Sequence, residues 1–382
     1  MLFHTNSDLR VVQRAVQRAS KLAYLLSCLV LMGLMVPFSS GCATVSVRSS
    51  QTPPTLEEQV KRVAQESGLT HERLAQLSQA DGWTGGLTDE RLLLPFAITP
   101  EVRSFAERNT RYASTPYQKI NALVRAMYGL GKLETQYVSH RTATAHETLR
   151  VMRGNCFSFT NLLVASARAI GLPAYFMDAS RARSFVRMED GRMVHAGHIV
   201  AGIETNLGLM TVDFNIVRGD SEPLWATHLR DEEAVALFLN NLGFDALKLG
   251  QDPTPYYRAA IRLAPELESP WNNLASTLKR QGKREEARQM LQQALAQRPA
   301  SFAPYYNLGL MDLEEGNYAQ ASQLFERGLL RRLDNPYLLY NLGMAYLRQG
   351  HATRARLALA TATQLDKDFS QARSKLEAIR HH

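Results

Sequence analysis

Apolar residues recur at spacings of three and four over residues 56–80 and again over 99–131, the period of helices that bury one face. Thr99-Pro100-Glu101 supplies a helix start, and Gly129 and Gly131 supply a stop. Over 157–170 nearly every face is apolar, and Gly171 and Pro173 close the segment, which predicts a buried helix. The pattern then shortens to runs rich in β-branched and apolar residues at 174–177, 185–188, 198–203 and 209–216. Asp190-Gly191 and Asn206-Leu207-Gly208 separate some of these runs, so an antiparallel meander is predicted. A helix packed on such a sheet is an α+β architecture.

From about residue 232 the pattern becomes a repeat. Asn241-Leu242, Asn273-Leu274, Asn307-Leu308 and Asn341-Leu342 recur at intervals of 32, 34 and 34 residues, and Gly250, Gly282, Gly316 and Gly350 keep the same intervals. Ala294, Gly328 and Ala362 lie 34 apart, where two helices must approach closely. The run Trp271-Asn272-Asn273-Leu274-Ala275, followed by Gly282, Ala287, Ala294 and Pro299, resembles the tetratricopeptide repeat. The likeness covers about 232–367 and implies an all-α solenoid of about four units that binds a protein or peptide partner. The first unit is two residues short and has Pro253 and Pro255 near its second helix. Residues 368–382 read as a capping helix and tail. Tyr305, Tyr306, Tyr337 and Tyr340 read as packing residues rather than ligand contacts.

The N-terminus is organised differently. Arg10, Arg14, Arg18 and Lys21 precede a mostly apolar run over 22–38, and Ser39, Ser40 and Gly41 lead to Cys42, the layout of a secretory signal. Ser39-Ser40-Gly41-Cys42 resembles the bacterial lipoprotein cleavage box. That resemblance implies a signal peptide over 1–41, lipidation at Cys42 and a place in the bacterial cell envelope; Ala43 implies the outer membrane, facing the periplasm. An uncleaved membrane anchor or a plain signal peptide are the alternatives. The Ser/Thr/Pro-rich stretch 42–59 reads as a tether, and 60–98 as a helical lead-in to a domain over 99–231.

A chain of 382 residues exceeds the usual size of one hydrophobic core, consistent with two folded modules. The formal net charge of +8 is inflated by the basic start. With no Lys/Arg run and no base-stacking motif, nucleic acid is not an expected partner. Of the 3 cysteines, Cys28 leaves with the signal and Cys42 is used by the lipid, so Cys156 is the one thiol of the mature chain. A disulfide framework is thereby excluded. A lone cysteine is commonly a buried core residue, so a chemical role for Cys156 needs support from its surroundings.

Arg153-Gly154-Asn155-Cys156 places the thiol at the first turn of the buried helix, where free N–H groups and the helix dipole favour a thiolate and can hold an oxyanion. A thiolate nucleophile needs a histidine beside it. His195 and His198 precede one strand run, and Asp213 is the acid in the next. If the two strands are joined by a loop of even length, paired positions have odd sums; His198 then shares a face with Asp213 and His195 does not. An odd-length loop would favour His195 instead. Asp213 on that face can hold the imidazole in its working tautomer.

Gly154-Asn155-Cys156 opening a helix that ends Ala167-Arg168-Ala169-Ile170-Gly171-Leu172-Pro173-Ala174, with His198 heading a strand and Val212-Asp213-Phe214 beyond, resembles the transglutaminase-like superfamily over about 99–218. The resemblance implies a papain-related α+β fold with Cys156 as nucleophile, His198 as general base and acid, and Asp213 as orienting carboxylate. Hydrolysis of an amide is expected ahead of cross-linking, and no cofactor is required. His195-Ala196-Gly197-His198 could form half a metal site, but no further ligands stand at recognisable spacing, so no metal is expected. Asp178 and Asp220 read as solvated loop acids. Asn155 reads as a helix cap and Tyr137 as core, although either could help bind an oxyanion. The competing reading is a non-catalytic envelope scaffold acting through its repeats.

Overall fold

The structure, a computed structural model, describes residues 55–69, 94–128, 137–138, 141–179, 186–189, 192–195, 198–214 and 226–380. The segment read as a signal, Cys42 and most of the stretch read as a tether lie outside the described residues, as do Gly129, Gly131, Asp220 and part of the stretch read as a lead-in. The elements in order are α1 Leu56–Glu66, α2 Pro100–Thr110, α3 Pro116–Tyr128, α4 Ala145–Val151, α5 Cys156–Ala169, β1 Ala174–Asp178, β2 Val186–Glu189, β3 Arg192–His195, β4 Ile199–Thr205, β5 Gly208–Val212, β6 Thr227–Leu229, α6 Asp231–Lys248 and α7 Thr254–Leu263. There follow α8 Glu268–Arg280, α9 Arg284–Gln297, α10 Ala303–Glu314, α11 Tyr318–Arg331, α12 Pro336–Arg348, α13 Ala352–Leu365 and α14 Ser370–Arg380. No helix among the described residues is long and apolar enough to cross a membrane.

Local chemistry sets the helix ends. Thr55 and Glu58 form a reciprocal capping box at α1, so the helix begins inside the stretch read as tether. Thr99 accepts from the Val102 N–H at α2, as its sequence context predicts. The periodic stretch 99–131 is two helices rather than one continuous element. The break falls before Pro116, which has no N–H to donate and restricts Thr115. The short helix α4 was not expected. Its signal is present in the chain, because Thr144 and Glu147 make a second capping box. Gly171 ends α5 with φ of 77°, a conformation that glycine adopts without steric penalty.

The sheet is antiparallel with order β5-β4-β1-β6, and α5 packs across β4 and β1. It is not a simple meander. β2 and β3 leave it as a separate two-stranded hairpin, so β1 pairs directly with β4. β3 and β6 are additional strands that periodicity did not reveal.

Four helix pairs, α6/α7 to α12/α13, follow with α14 as a cap, and the small residues Ala294, Gly328 and Ala362 are buried. Tyr306 is 1% exposed and accepts from Asn341 at 3.2 Å, and Phe369 packs against both Tyr337 and Tyr340 at 5.0 and 5.2 Å. Those aromatics serve packing.

The first pair differs from the others because it shares a core with the sheet domain. One buried cluster runs from Val60 through Phe157, Phe176 and Ile203 to Val235, Phe238, Leu242, Tyr256 and Leu267. The Phe157 ring lies 6.1 Å from both Phe176 and Phe238. Arg168 of α5 adds a bidentate ion pair to Asp231 of α6, both contacts at 2.8 Å, and stands over the Phe96 ring. The boundary expected at 231/232 therefore cuts through one continuous core.

Candidate active site

Cys156 is the first residue of α5, and the segment before it is tightly held. Asn155 is the N-cap: its Oδ1 accepts from the Ser158 N–H at 3.0 Å, and its Nδ2 donates to Thr142 Oγ1 at 2.9 Å. Its backbone N–H donates to Arg141 C=O at 2.9 Å. Both ends of the Asn155 amide are thus engaged, the oxygen in the cap and the nitrogen on Thr142. Gly154 is required by close approach, since a Cβ there would meet Ser158 Cβ at 2.4 Å and Oγ at 2.6 Å. Its carbonyl accepts from the Val138 N–H at 3.0 Å, in a short parallel bridge that includes Tyr137. Gly154→Ala is expected to destabilise the chain by about 1–3 kcal/mol through overpacking, read as a lower urea midpoint.

The N–H groups of Cys156 and Phe157 precede the first intrahelical bond of α5, which runs from Phe159 N–H to Asn155 C=O at 3.3 Å. They lie at the positive end of the helix dipole, beside a sulfur that is only partly buried.

His198 and Asp213 arrive from the sheet. The β4–β5 turn has two central residues, Asn206 and Leu207, because Thr205 pairs with Gly208 and Ala201 with Val212. This even-length loop gives the parity that puts His198 and Asp213 on one face. His198 stands immediately before β4, Asp213 immediately after β5, and His198 Nε2 lies 2.8 Å from Asp213 Oδ2. His195 ends β3, its side chain outside the described residues. Asp178 ends β1, where it pairs with Ile199 and Thr227.

His198 is 2% exposed, and burial opposes its charged form. The hydrogen bonds to Asp213 and Cys156, together with the charges there, outweigh that penalty and hold the imidazole up at about 9. With Nε2 on Asp213, proton exchange with Cys156 falls to the other ring nitrogen, Nδ1. Burial also pushes the Tyr128 hydroxyl up, and the Asp213 carboxylate adds to the effect. The ring of Tyr128 stacks on Phe214 at 5.9 Å and helps wall the carboxylate side. No group of three or more His, Cys, Asp or Glu side chains among the described residues is arranged to hold a metal ion.

Thr142, Ser158 and Asp245 are the surrounding residues that sequence reading missed. Ser158 Oγ accepts from the Ala143 N–H at 2.8 Å, and Asp245 of α6 accepts from the Thr142 N–H at 2.7 Å. Asp245 stands 103 residues from Thr142. No local signal links the two.

Residues 103–198 match the transglutaminase-like superfamily, and residues 272–296 and 312–379 match tetratricopeptide repeat families. A comparison with curated protein sequences returned no match. Among solved structures, MamA from Desulfovibrio magneticus RS-1 is 20% identical and aligns with 38% of this chain and 82% of its own, at a TM-score of 0.34. PilF of Pseudomonas aeruginosa is 16% identical over 40% of this chain and 70% of its own, at 0.38. The Yersinia enterocolitica type III secretion chaperone SycD, solved with a peptide of the translocator YopD, is 21% identical over 29% of this chain and 89% of its own, at 0.28. The chain thus joins a transglutaminase-like core domain to a tetratricopeptide-repeat array of the kind that supports protein–protein interaction.

Proposed function

We propose that the chain is an envelope-anchored cysteine hydrolase or acyl transferase that acts on an amide bond of a protein or peptide held by its repeats. The single observation that carries this reading is the His198 imidazole, 2.8 Å from Asp213 at Nε2 and near enough to Cys156 for the sulfur to favour its charged form. A ring that keeps its proton up to about 9 readily takes the thiol proton at Nδ1 and later returns it to a leaving amine. The Cys156 sulfur attacks the amide carbonyl, and the N–H groups of Cys156 and Phe157 face the developing oxyanion. The C–N bond then breaks as the nitrogen takes the proton from His198, leaving a thioester on Cys156. Water or an amine then attacks the thioester, giving its proton to Nδ1; the C–S bond breaks, the acyl group leaves as acid or amide, and Nδ1 returns the proton to the Cys156 sulfur. Asp213 holds the Nε2 hydrogen throughout, so that proton transfer falls to Nδ1.

Lipidation at Cys42 and a site at the outer membrane complete the proposal, on the residues of the N-terminal signal. Iodoacetamide is expected to modify Cys156 in the full chain about tenfold faster than a free peptide thiol at pH 7, measured by mass spectrometry of the Cys156 peptide. Modification no faster than the free thiol would sink the enzyme reading. Function retained in Cys156→Ala but lost on deleting 268–382 would select a scaffold instead.

A further inference from the structure

We infer that Asp245, on the first helix of the repeat array, is a positioning residue for the Cys156 thiol. The inference rests on the proposed role of Cys156 and names a group that acts on the thiol from outside the transglutaminase-like core. Asp245 is 7% exposed, a carboxylate with almost no access to water, and its Oδ2 accepts from the Thr142 N–H at 2.7 Å. A charge-assisted bond in such a setting is strong and directional. Thr142 is the hinge of the linkage. Its Oγ1 accepts from Asn155 Nδ2 at 2.9 Å, and Asn155 Oδ1 caps α5 through the Ser158 N–H at 3.0 Å.

The segment 141–143 is gripped along its length from the α5 side. Arg141 C=O accepts from the Asn155 N–H at 2.9 Å, Ser158 Oγ accepts from the Ala143 N–H at 2.8 Å, and Asn161 Nδ2 donates to Ala143 C=O at 3.0 Å. On the α6 side, Asp245 takes the one backbone N–H between them, that of Thr142. Without it, a buried N–H loses its partner, and the strip that carries the Asn155 clamp is held from the α5 side alone. The cap and the first turn of α5 then loosen, and with them the alignment of Cys156 to Nδ1 of His198 and to the helix N–H groups. Removing Asp245 therefore acts on the ionisation and reactivity of a sulfur it does not touch. The geometry also joins the thiol mechanically to α6, the helix with which the repeat array begins.

The test is the pH profile of Cys156 alkylation in the full chain, read by mass spectrometry of its peptide, beside far-ultraviolet circular dichroism for folding. Asp245→Ala is expected to slow alkylation at pH 7 about tenfold and to move the midpoint of the profile upward. Asp245→Asn, which keeps an acceptor oxygen in place, is expected to restore the rate to within about twofold. A folded Asp245→Ala chain with the wild-type profile would overturn the inference. Should Asp245→Ala fail to fold, Asp245→Ser, too short to reach the Thr142 N–H but still polar, takes its place; the same upward shift supports the inference, and an unchanged profile overturns it. Failure of the proposed function looks different, because wild-type Cys156 would then alkylate no faster than a free peptide thiol.

Discussion

Substituting Asp213 by Asn is expected to bring the His198 imidazole from about 9 down to its ordinary value of 6.5 or below, and to slow Cys156 alkylation at neutral pH about tenfold. The direction follows from the balance at the ring. Burial of a side chain that is 2% exposed penalises the charged form, and the bonds and charges of Asp213 and Cys156 overcome that penalty. The Asn side chain keeps the shape of Asp213 but removes its charge, so only Cys156 is left to oppose the cost of burial. Nuclear magnetic resonance titration of the ring, assigned by difference from His198→Gln, measures this directly; a wild-type midpoint near 6.5 would refute the electrostatic account.

The same shift couples stability to pH. The folded ring holds its proton more tightly than the unfolded chain does. Its contribution is therefore complete below about 6.5 and is lost as the pH rises through about 9, on the order of 3 kcal/mol in all. Between roughly pH 6 and pH 9.5 the wild-type chain should lose more stability than Asp213→Asn, measured by urea unfolding.

Truncating the chain after Arg230 is expected to abolish cooperative folding of the transglutaminase-like domain, whereas truncating it after Leu267 should preserve folding. The sheet domain and the first helix pair bury their apolar side chains in one cluster: Val235, Phe238, Leu239, Leu242 and Tyr256 lie in it with Phe157, Phe176 and Val164. At about 1.5–3 kcal/mol for each large side chain taken out of water, loss of that face exceeds the marginal 5–15 kcal/mol that holds a domain together. The Arg168–Asp231 and Thr142–Asp245 contacts go with it. Circular dichroism melts of the two truncated chains decide the point. A cooperative transition in the shorter chain would show that the shared core is dispensable.

These outcomes bear on how much of the molecule could be read from its residues in order. The thiol at a helix start, the histidine ranked by strand parity and the acid on the same face were legible because each depends on a local period. Alternation along β4 and β5 decides which side chains share a face, and a turn of two residues, Asn206 and Leu207, supplies the parity. The repeats were legible for the same reason, as glycines and Asn-Leu pairs return at a fixed interval. The hairpin of β2 and β3 was less legible. Only the run at 185–188 was legible as a strand; its partner β3 shows no such pattern, and packing alone sends the two out of the main sheet. The capping box of Thr144 and Glu147 was readable but passed over in a seven-residue helix with few apolar positions.

By itself, then, the sequence determined the classes of element, the α+β and repeat halves, and the identity of Cys156, His198 and Asp213 as residues that belong together. The element classes and the repeats rest on short-range periodicity, which survives in the linear order of the chain; the grouping of the three residues rests also on the motif around Cys156 and its resemblance to the transglutaminase-like superfamily. Tertiary structure alone decided that α6 and α7 complete the core of the first domain, and that Asp245 reaches Thr142 across 103 residues to steady the helix start beneath the thiol. A buried carboxylate in a repeat helix carries no mark of its distant partner. Only the folded chain brings acceptor and backbone N–H to 2.7 Å in a buried place.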